Sequence, residues 1–114
     1  MWQCSCNITM AGGTKGGESS PKLAAIVAET AREMPCFTNI IPTQAFGAPE
    51  DFAHFMSLVQ QQGGMGCYMQ VGASLASGHH TDHFDFDETV LQQALELLSR
   101  VVWRLNGKDP TPKA

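Results

Sequence analysis

The chain has 114 residues, which is enough for one modest domain. Its hydrophobic content of 43% is ordinary for a globular fold and excludes disorder throughout the chain. The formal net charge of -4 argues against nucleic acid or an anionic membrane as the main partner, because both call for a basic face, and no apolar run approaches the roughly 20 residues of a membrane span.

The four cysteines are scattered, and the first residues lack the basic end and the apolar segment of a signal peptide. Free thiols in a reducing compartment are therefore expected, so we predict a cytoplasmic location. Cys4 and Cys6 could contact a metal, but a chain terminus that carries free thiols is the preferred interpretation.

Residues 1–20 form an N-terminal segment that ends in a glycine-rich loop. Gly12 and Gly17 have the spacing of a phosphate-binding loop, but Glu18 stands where that loop needs lysine, so a connecting loop is predicted. A hydroxyl residue followed by Pro21 then predicts the start of a helix over 21–34. One helix face carries its apolar residues, namely Leu23, Ile26, Val27, Thr30, Ala31 and Met34.

The middle of the chain predicts a short strand at 37–43 and a second helix over 49–62. Acidic residues in the first turn suit the helix dipole, and Gly63 with Gly64 predicts the C-terminal stop. The predicted buried stripe of this helix consists of Phe52, Phe55, Met56 and Val59.

The last third predicts a strand at 66–73, a histidine-rich loop, and a final helix that Asp87 caps and that runs to about residue 105. The apolar repeat of that helix consists of Leu91, Ala94, Leu95, Leu98, Val101, Val102 and Leu105. A loose tail is predicted at 108–114.

The predicted order is helix, strand, helix, strand, helix, which indicates an α/β fold with helices packed on a small sheet. Two short strands make a poor sheet alone. We therefore expect residues 21–107 to be part of a larger α/β domain, or a protomer that completes its sheet with another copy.

Three histidines, His79, His80 and His83, lie close together between the last strand and the last helix, with acidic residues interleaved. Imidazole and carboxylate are ligands of divalent transition metals, so this loop is the candidate metal site. The alternative is a solvated loop followed by an ordinary helix cap. A metal interpretation requires further ligands from elsewhere, because the loop alone is short of them.

Residues 78–88 read Gly-His-His-Thr-Asp-His-Phe-Asp-Phe-Asp-Glu. This stretch resembles the C-terminal signature of the metal-dependent amidohydrolases and peptidases of the aminoacylase, hippurate hydrolase and p-aminobenzoyl-glutamate hydrolase family. Residues 11–20 and 47–52 are similar to two further stretches of the family in matching order, although Pro49 stands where serine is commoner. The resemblance covers residues 9–105.

The resemblance implies that the chain is the C-terminal part of a two-metal-peptidase-type catalytic domain, with His80 as the family's last metal-binding histidine. His79 and His83 occupy variable positions, and Asp85 and Asp87 are expected to hold the loop and cap the helix. Glu50 and Asp51 match a motif near the site, although capping alone explains them.

The implied reaction is hydrolysis of the amide bond of a small N-acyl amino acid by a water that zinc or manganese activates. The other metal ligands and the glutamate base of the family lie in an N-terminal part that this sequence does not contain. No catalytic residue is therefore assigned here, and the expected partner is that missing N-terminal part or another copy of the chain.

Two alternatives stay open beside the amidohydrolase fragment. The first is a non-catalytic interaction or assembly module derived from the same fold. The second is a small autonomous metal-binding protein in which His79, His80 and His83 bind jointly.

Overall fold

The computed structural model describes residues 3–45 and 47–107 and places three α-helices in them. These are α1 (Pro21–Arg32), α2 (Phe52–Gln61) and α3 (Thr89–Asn106). The three helices lie where the sequence predicts them, within a turn at each end. The predicted tail at 108–114 lies outside the described residues. None of the described helices combines the length and the apolar character needed to cross a bilayer.

The predicted α/β fold is wrong, because the described residues are all-helical and contain no strand or sheet. Their one strand-like pairing is an isolated bridge between Leu75 and Phe86. Alternating apolar residues favour an extended conformation, but a strand exists only where a second segment supplies ladder hydrogen bonds. In the predicted strand at 66–73, the Gly66 and Tyr68 N–H groups donate to serine hydroxyls instead.

Ser20 begins α1, but its hydroxyl does not act as the predicted cap. Its backbone is extended, and Pro21 occupies the first helical turn. The Ser20 hydroxyl instead accepts the Gly66 N–H at 3.2 Å and a side-chain N–H of Gln60 at 3.1 Å. This one side chain therefore ties the start of α1 to both α2 and the segment that follows it.

The main core lies between α1 and α3. Met34 and Ala31 pack there against Leu97 and Val101, and all four side chains are buried. Partly buried hydrophobic residues complete the cluster, namely Val27, Phe37, Ile40 and Met69. The apolar face predicted for the first helix is confirmed, because its last three members, Thr30, Ala31 and Met34, are buried.

A polar contact seals one end of this core. Buried Thr30 donates its hydroxyl to the Ile26 carbonyl oxygen at 2.8 Å and accepts Arg104 Nη1 at 3.2 Å. Arg104 also pairs with Glu33 at 3.0 Å. The Thr30 hydroxyl is thus satisfied as both donor and acceptor, which removes the penalty of burying it.

Helix α2 packs away from this core, and its predicted buried stripe is largely wrong. Of the four predicted residues only Met56 is buried, together with Ala53, while Phe55 is 67% exposed. Met56 lies against Gly17 and Gly66, where any side chain would collide with it. Helix α2 thus packs partly on glycine backbone, and its Phe52 ring also lies 5.8 Å from Tyr68, centroid to centroid. As predicted, Gly63 stops the helix, and its φ of 82° is one that glycine adopts readily.

We expect Leu97→Ala to lower the free energy of unfolding by about 2–4 kcal/mol, because it leaves a cavity in the core between α1 and α3. Leu95→Ala on the same helix should change it by less than about 0.5 kcal/mol, because Leu95 is 65% exposed. Urea denaturation followed by circular dichroism measures both values. Equal losses for the two variants would contradict the described packing of α3.

Candidate metal-ligand loop

The histidine loop, residues 77–84, is closed at its base by the bridge between Leu75 and Phe86. Two backbone hydrogen bonds of 2.9 and 3.0 Å flank that pair. They hold the chain entering the loop beside the chain leaving it. The loop is therefore a closed hairpin, anchored a few residues before the start of α3.

Hydroxyl groups fold the first half of the loop. The Thr81 hydroxyl donates to the Gly78 carbonyl oxygen at 2.9 Å and lies 2.9 Å from the Ser77 hydroxyl, which then donates to it. The Phe84 N–H donates to the Thr81 carbonyl oxygen at 3.3 Å. Sequence reasoning missed Thr81, although a serine and a threonine four residues apart in a short loop are a signal for such bonds.

Aromatic contacts fold the second half of the loop. The His79 ring stacks on Phe84 with 5.3 Å between ring centroids and an interplanar angle of 28°. Phe84 in turn lies 6.2 Å from Phe86, centroid to centroid. His79 therefore packs the loop against the bridge residue Phe86 and leaves the neighbouring histidine outside this contact.

His80 is exposed near the apex of the loop in a left-handed backbone conformation, with φ of 61°. Among the described residues other than glycine, it alone has a positive φ. This region costs an L-residue roughly 1–2 kcal/mol, and the bonds and ring contacts around it hold the backbone there. The result is an imidazole presented to the surroundings on a constrained turn.

The other predicted loop residues have separate roles. His83 lies 3.7 Å from Asp82, but both side chains are more than four-fifths exposed, so this pairing contributes little to stability. The Asp85 carboxylate accepts the Phe86 N–H at 2.9 Å. As expected, Asp85 thus holds the loop.

Asp87 connects the loop to α3. Its carboxylate accepts the Thr89 hydroxyl at 2.8 Å and the Thr89 N–H at 3.0 Å, so it caps the first helical residue from one position before the N-cap residue, which is Glu88 rather than the predicted Asp87. The two bonds, the hydroxyl bond foremost, hold the pKa of Asp87 below its usual value, because both favour the charged form.

Glu50 and Asp51 lie at the start of α2. The Glu50 carboxylate accepts the Phe52 N–H at 3.2 Å and the Tyr68 hydroxyl at 3.4 Å. Burial raises the pKa of Tyr68, and the nearby Glu50 carboxylate raises it further. Asp51 accepts the Thr14 hydroxyl at 3.5 Å. The Glu50 bond to Phe52 fits the capping interpretation, whereas the Asp51 side chain makes no cap bond to the helix. The sequence did not predict the Tyr68 contact.

The described residues do not bring together three His, Cys, Asp or Glu side chains that could hold a metal ion. A divalent metal, which the family implies, therefore does not fit a complete site within residues 3–45 and 47–107. His80 could supply one ligand, and further ligands would have to come from outside this part of the chain.

Comparison with known proteins identifies three hydrolases. The chain is 34% identical over 100 residues to an indole-3-acetyl-aspartic acid hydrolase of Enterobacter agglomerans, which is 87% of this chain and 23% of that protein. It is 36% identical over 90 residues to a p-aminobenzoyl-glutamate hydrolase subunit of Escherichia coli, which is 78% and 21% of the two chains. A homologue of that subunit in Haemophilus influenzae is 33% identical over 84 residues, which is 74% and 20%.

No family model matches the chain, and neither does any solved structure. All three relatives are nevertheless named as hydrolases, and each of them matches most of this chain. It belongs to the family of the p-aminobenzoyl-glutamate and indole-3-acetyl-aspartic acid hydrolases, and the predicted resemblance is confirmed. The chain spans about a fifth of the length of these relatives.

We expect Thr89→Val to raise the pKa of Asp87 toward its usual value, because the variant loses the hydroxyl bond and keeps the backbone bond. The folded-state pKa of Asp87 lies below the unfolded one. Its stabilising effect on α3 is therefore complete above the unfolded pKa and is lost as the pH falls through the folded pKa.

Carbon-13 NMR titration of the Asp87 carboxylate measures this pKa directly. Thr81→Val is the matched control, because Thr81 bonds within the histidine loop and not with Asp87. The same Asp87 pKa in wild type and Thr89→Val would show that the hydroxyl bond does not exist in solution.

Proposed function

We propose that the chain is the C-terminal portion of a metal-dependent amidohydrolase that cleaves the amide bond of N-acyl amino acids. The observation that carries the proposal is His80, which a closed hairpin constrains in a left-handed turn and exposes at the surface. Backbone strain of this kind persists where the surrounding structure fixes it, and it clusters at functional sites.

Two of the relatives suggest the substrate class. Indole-3-acetyl-aspartic acid and p-aminobenzoyl-glutamate both join an acyl group to an acidic amino acid through an amide bond. We therefore propose an N-acyl aspartate or N-acyl glutamate as the substrate.

In this proposal His80 is a single ligand to a zinc or manganese ion, and the loop holds it in place. The remaining ligands and the general base belong to the missing N-terminal part, which is the proposed partner of the chain. We further propose a cytoplasmic location, because the free thiols of Cys4, Cys6, Cys36 and Cys67 suit a reducing compartment.

The purified 114-residue chain should bind zinc or manganese more weakly than micromolar, because one imidazole cannot hold a catalytic ion alone. Competition with a chromophoric chelator measures the affinity. Binding tighter than micromolar that is lost in each of His79→Asn, His80→Asn and His83→Asn would instead support an autonomous metal-binding protein.

The decisive experiment places the chain in a complete enzyme. In this fusion, the 114-residue chain replaces the matching segment of the Enterobacter agglomerans hydrolase. We expect the fusion to hydrolyse indole-3-acetyl-aspartate with added metal. His80→Asn should lower the rate by about 100-fold or more, because even residues that only support metal ligands cost 10–100-fold.

Asparagine is the chosen replacement because it tolerates a positive φ, so the loop keeps its backbone while the imidazole is lost. His83→Asn is the matched control, since His83 is highly exposed in the same loop and should leave the rate unchanged. Full activity of His80→Asn would contradict the proposed role. A fusion that folds but stays inactive with every metal would favour the non-catalytic assembly module.

A further inference from the structure

Helix α3 carries two apolar stripes, and α1 covers only one of them. The stripe that faces α1 includes Leu97 and Val101. Successive residues of an α-helix are rotated by about 100°. A second stripe therefore lies roughly a quarter turn around the helix from the first one. Its members are alternately four and three residues apart. We call it the outer stripe, and it consists of Leu91, Leu95, Leu98, Val102 and Leu105.

Every member of the outer stripe is exposed, from 43% for Leu105 to 65% for Leu95. An unbroken apolar stripe along an 18-residue helix is typical of a face that packs against another element. In the described part of the chain, α1 is the helix that packs on α3, and it occupies the other stripe.

The whole chain has the surface of a segment rather than of a complete domain. Its accessible surface is 9826 Å², whereas a compact monomer of this size exposes about 6,100 Å². Its radius of gyration is 19.8 Å, against about 13 Å for a compact chain of this length. Part of this excess comes from residues 3–18, which are exposed and outside any helix, and part comes from uncovered faces such as the outer stripe.

A second copy of the chain is a poor occupant for the outer stripe. The five half-exposed side chains offer on the order of 500 Å², so a symmetric pair would bury about 1,000 Å², which is below the ~1,200–2,000 Å² of a stable specific interface. The relatives provide a larger partner, because about four-fifths of their length lies outside the match to this chain.

We propose that the outer stripe of α3 docks onto an apolar face of the remaining part of such a hydrolase. The inference rests on the proposed function only in taking the chain as one portion of a larger enzyme. Since α3 begins directly after the histidine loop, at Thr89, docking along the helix also fixes where the loop meets that larger part.

The test compares one substitution in two settings, the free chain and the fusion defined above. Leu95→Glu should leave the helicity of the free chain unchanged, because Leu95 is already exposed there. In the fusion, the same change should lower Tm by about 5–15 °C, because it places an unpaired charge in a buried contact.

Ser99→Glu is the matched control. It adds the same charge one helical turn beyond Leu95, on an exposed polar position about 40° past that edge of the outer stripe, so it should leave the free chain unchanged and lower the Tm of the fusion by much less than Leu95→Glu. Leu95→Met, which keeps size and apolar character, should retain the Tm of the fusion within about 2–4 °C.

Three results would overturn the proposal. The fusion could melt at the same temperature with Leu95→Glu as with the wild-type stripe. The wild-type fusion could fail to melt cooperatively. The free chain could sediment as a dimer that Leu95→Glu dissociates, which would make a second copy the occupant.

Hydrolysis is measured separately, so the two proposals fail in different ways. A fusion whose Tm depends on Leu95 but which cleaves no indole-3-acetyl-aspartate contradicts the proposed activity and supports the docking surface. An active fusion whose Tm is indifferent to Leu95 supports the activity and overturns the docking surface.

Discussion

The packing of α1 against α3 is the constraint on which the rest of the structure depends. Met34 and Leu97 are almost fully buried there, and Arg104 reaches across to Thr30 and Glu33. These contacts join residues more than sixty positions apart in the sequence, so they fix the first and last helices relative to each other. The segment between the two helices includes α2. It is held to the start of α1 by hydrogen bonds to the Ser20 hydroxyl, and Met56 packs closely on the backbone of Gly17 and Gly66.

The histidine loop takes its orientation from α3. Asp87 caps the helix with its carboxylate, while its N–H closes the base of the loop. One residue thus belongs to both structures, and the turn that carries His80 cannot rotate independently of the helix axis. The His79 ring stacks on Phe84, whereas both His79 and His80 are exposed.

The sequence predicted the helices because each has a strong three-and-four apolar repeat bounded by residues that start or stop helices. It also predicted the buried face of α1, because that helix has only one apolar face that can pack against the core. The sequence did not predict which apolar residues of α2 and α3 are buried. On α3 the predicted repeat included the exposed Leu95 and omitted the buried Leu97, because two apolar stripes lie side by side and local spacing does not say which neighbour covers which.

The predicted strands are wrong, and the assignment of His80 as a metal ligand stays a prediction. Residues 37–43 and 66–73 have the composition of strands, but pairing is a property of two segments and cannot be read from one. His80 could be singled out only by its place in the family signature, since His79 and His83 have the same side chain. Its positive φ depends on Thr81 and Phe84, which neither spacing nor composition marks as supports.

The incomplete ligand set and the uncovered face of α3 have one common explanation. A metal site that takes its ligands from distant parts of a chain needs those parts to pack rigidly, since ligands must be held within about half an ångström of their working geometry. A loop fixed to the start of an 18-residue helix, about 27 Å long, meets that need when the helix packs along its length. The outer stripe runs along that length, so the surface that would hold the segment in place is continuous with the element that positions His80. If the outer stripe docks and His80 binds metal as proposed, the two would be coupled through α3, and a loss of packing at the far end of the helix would reach the loop.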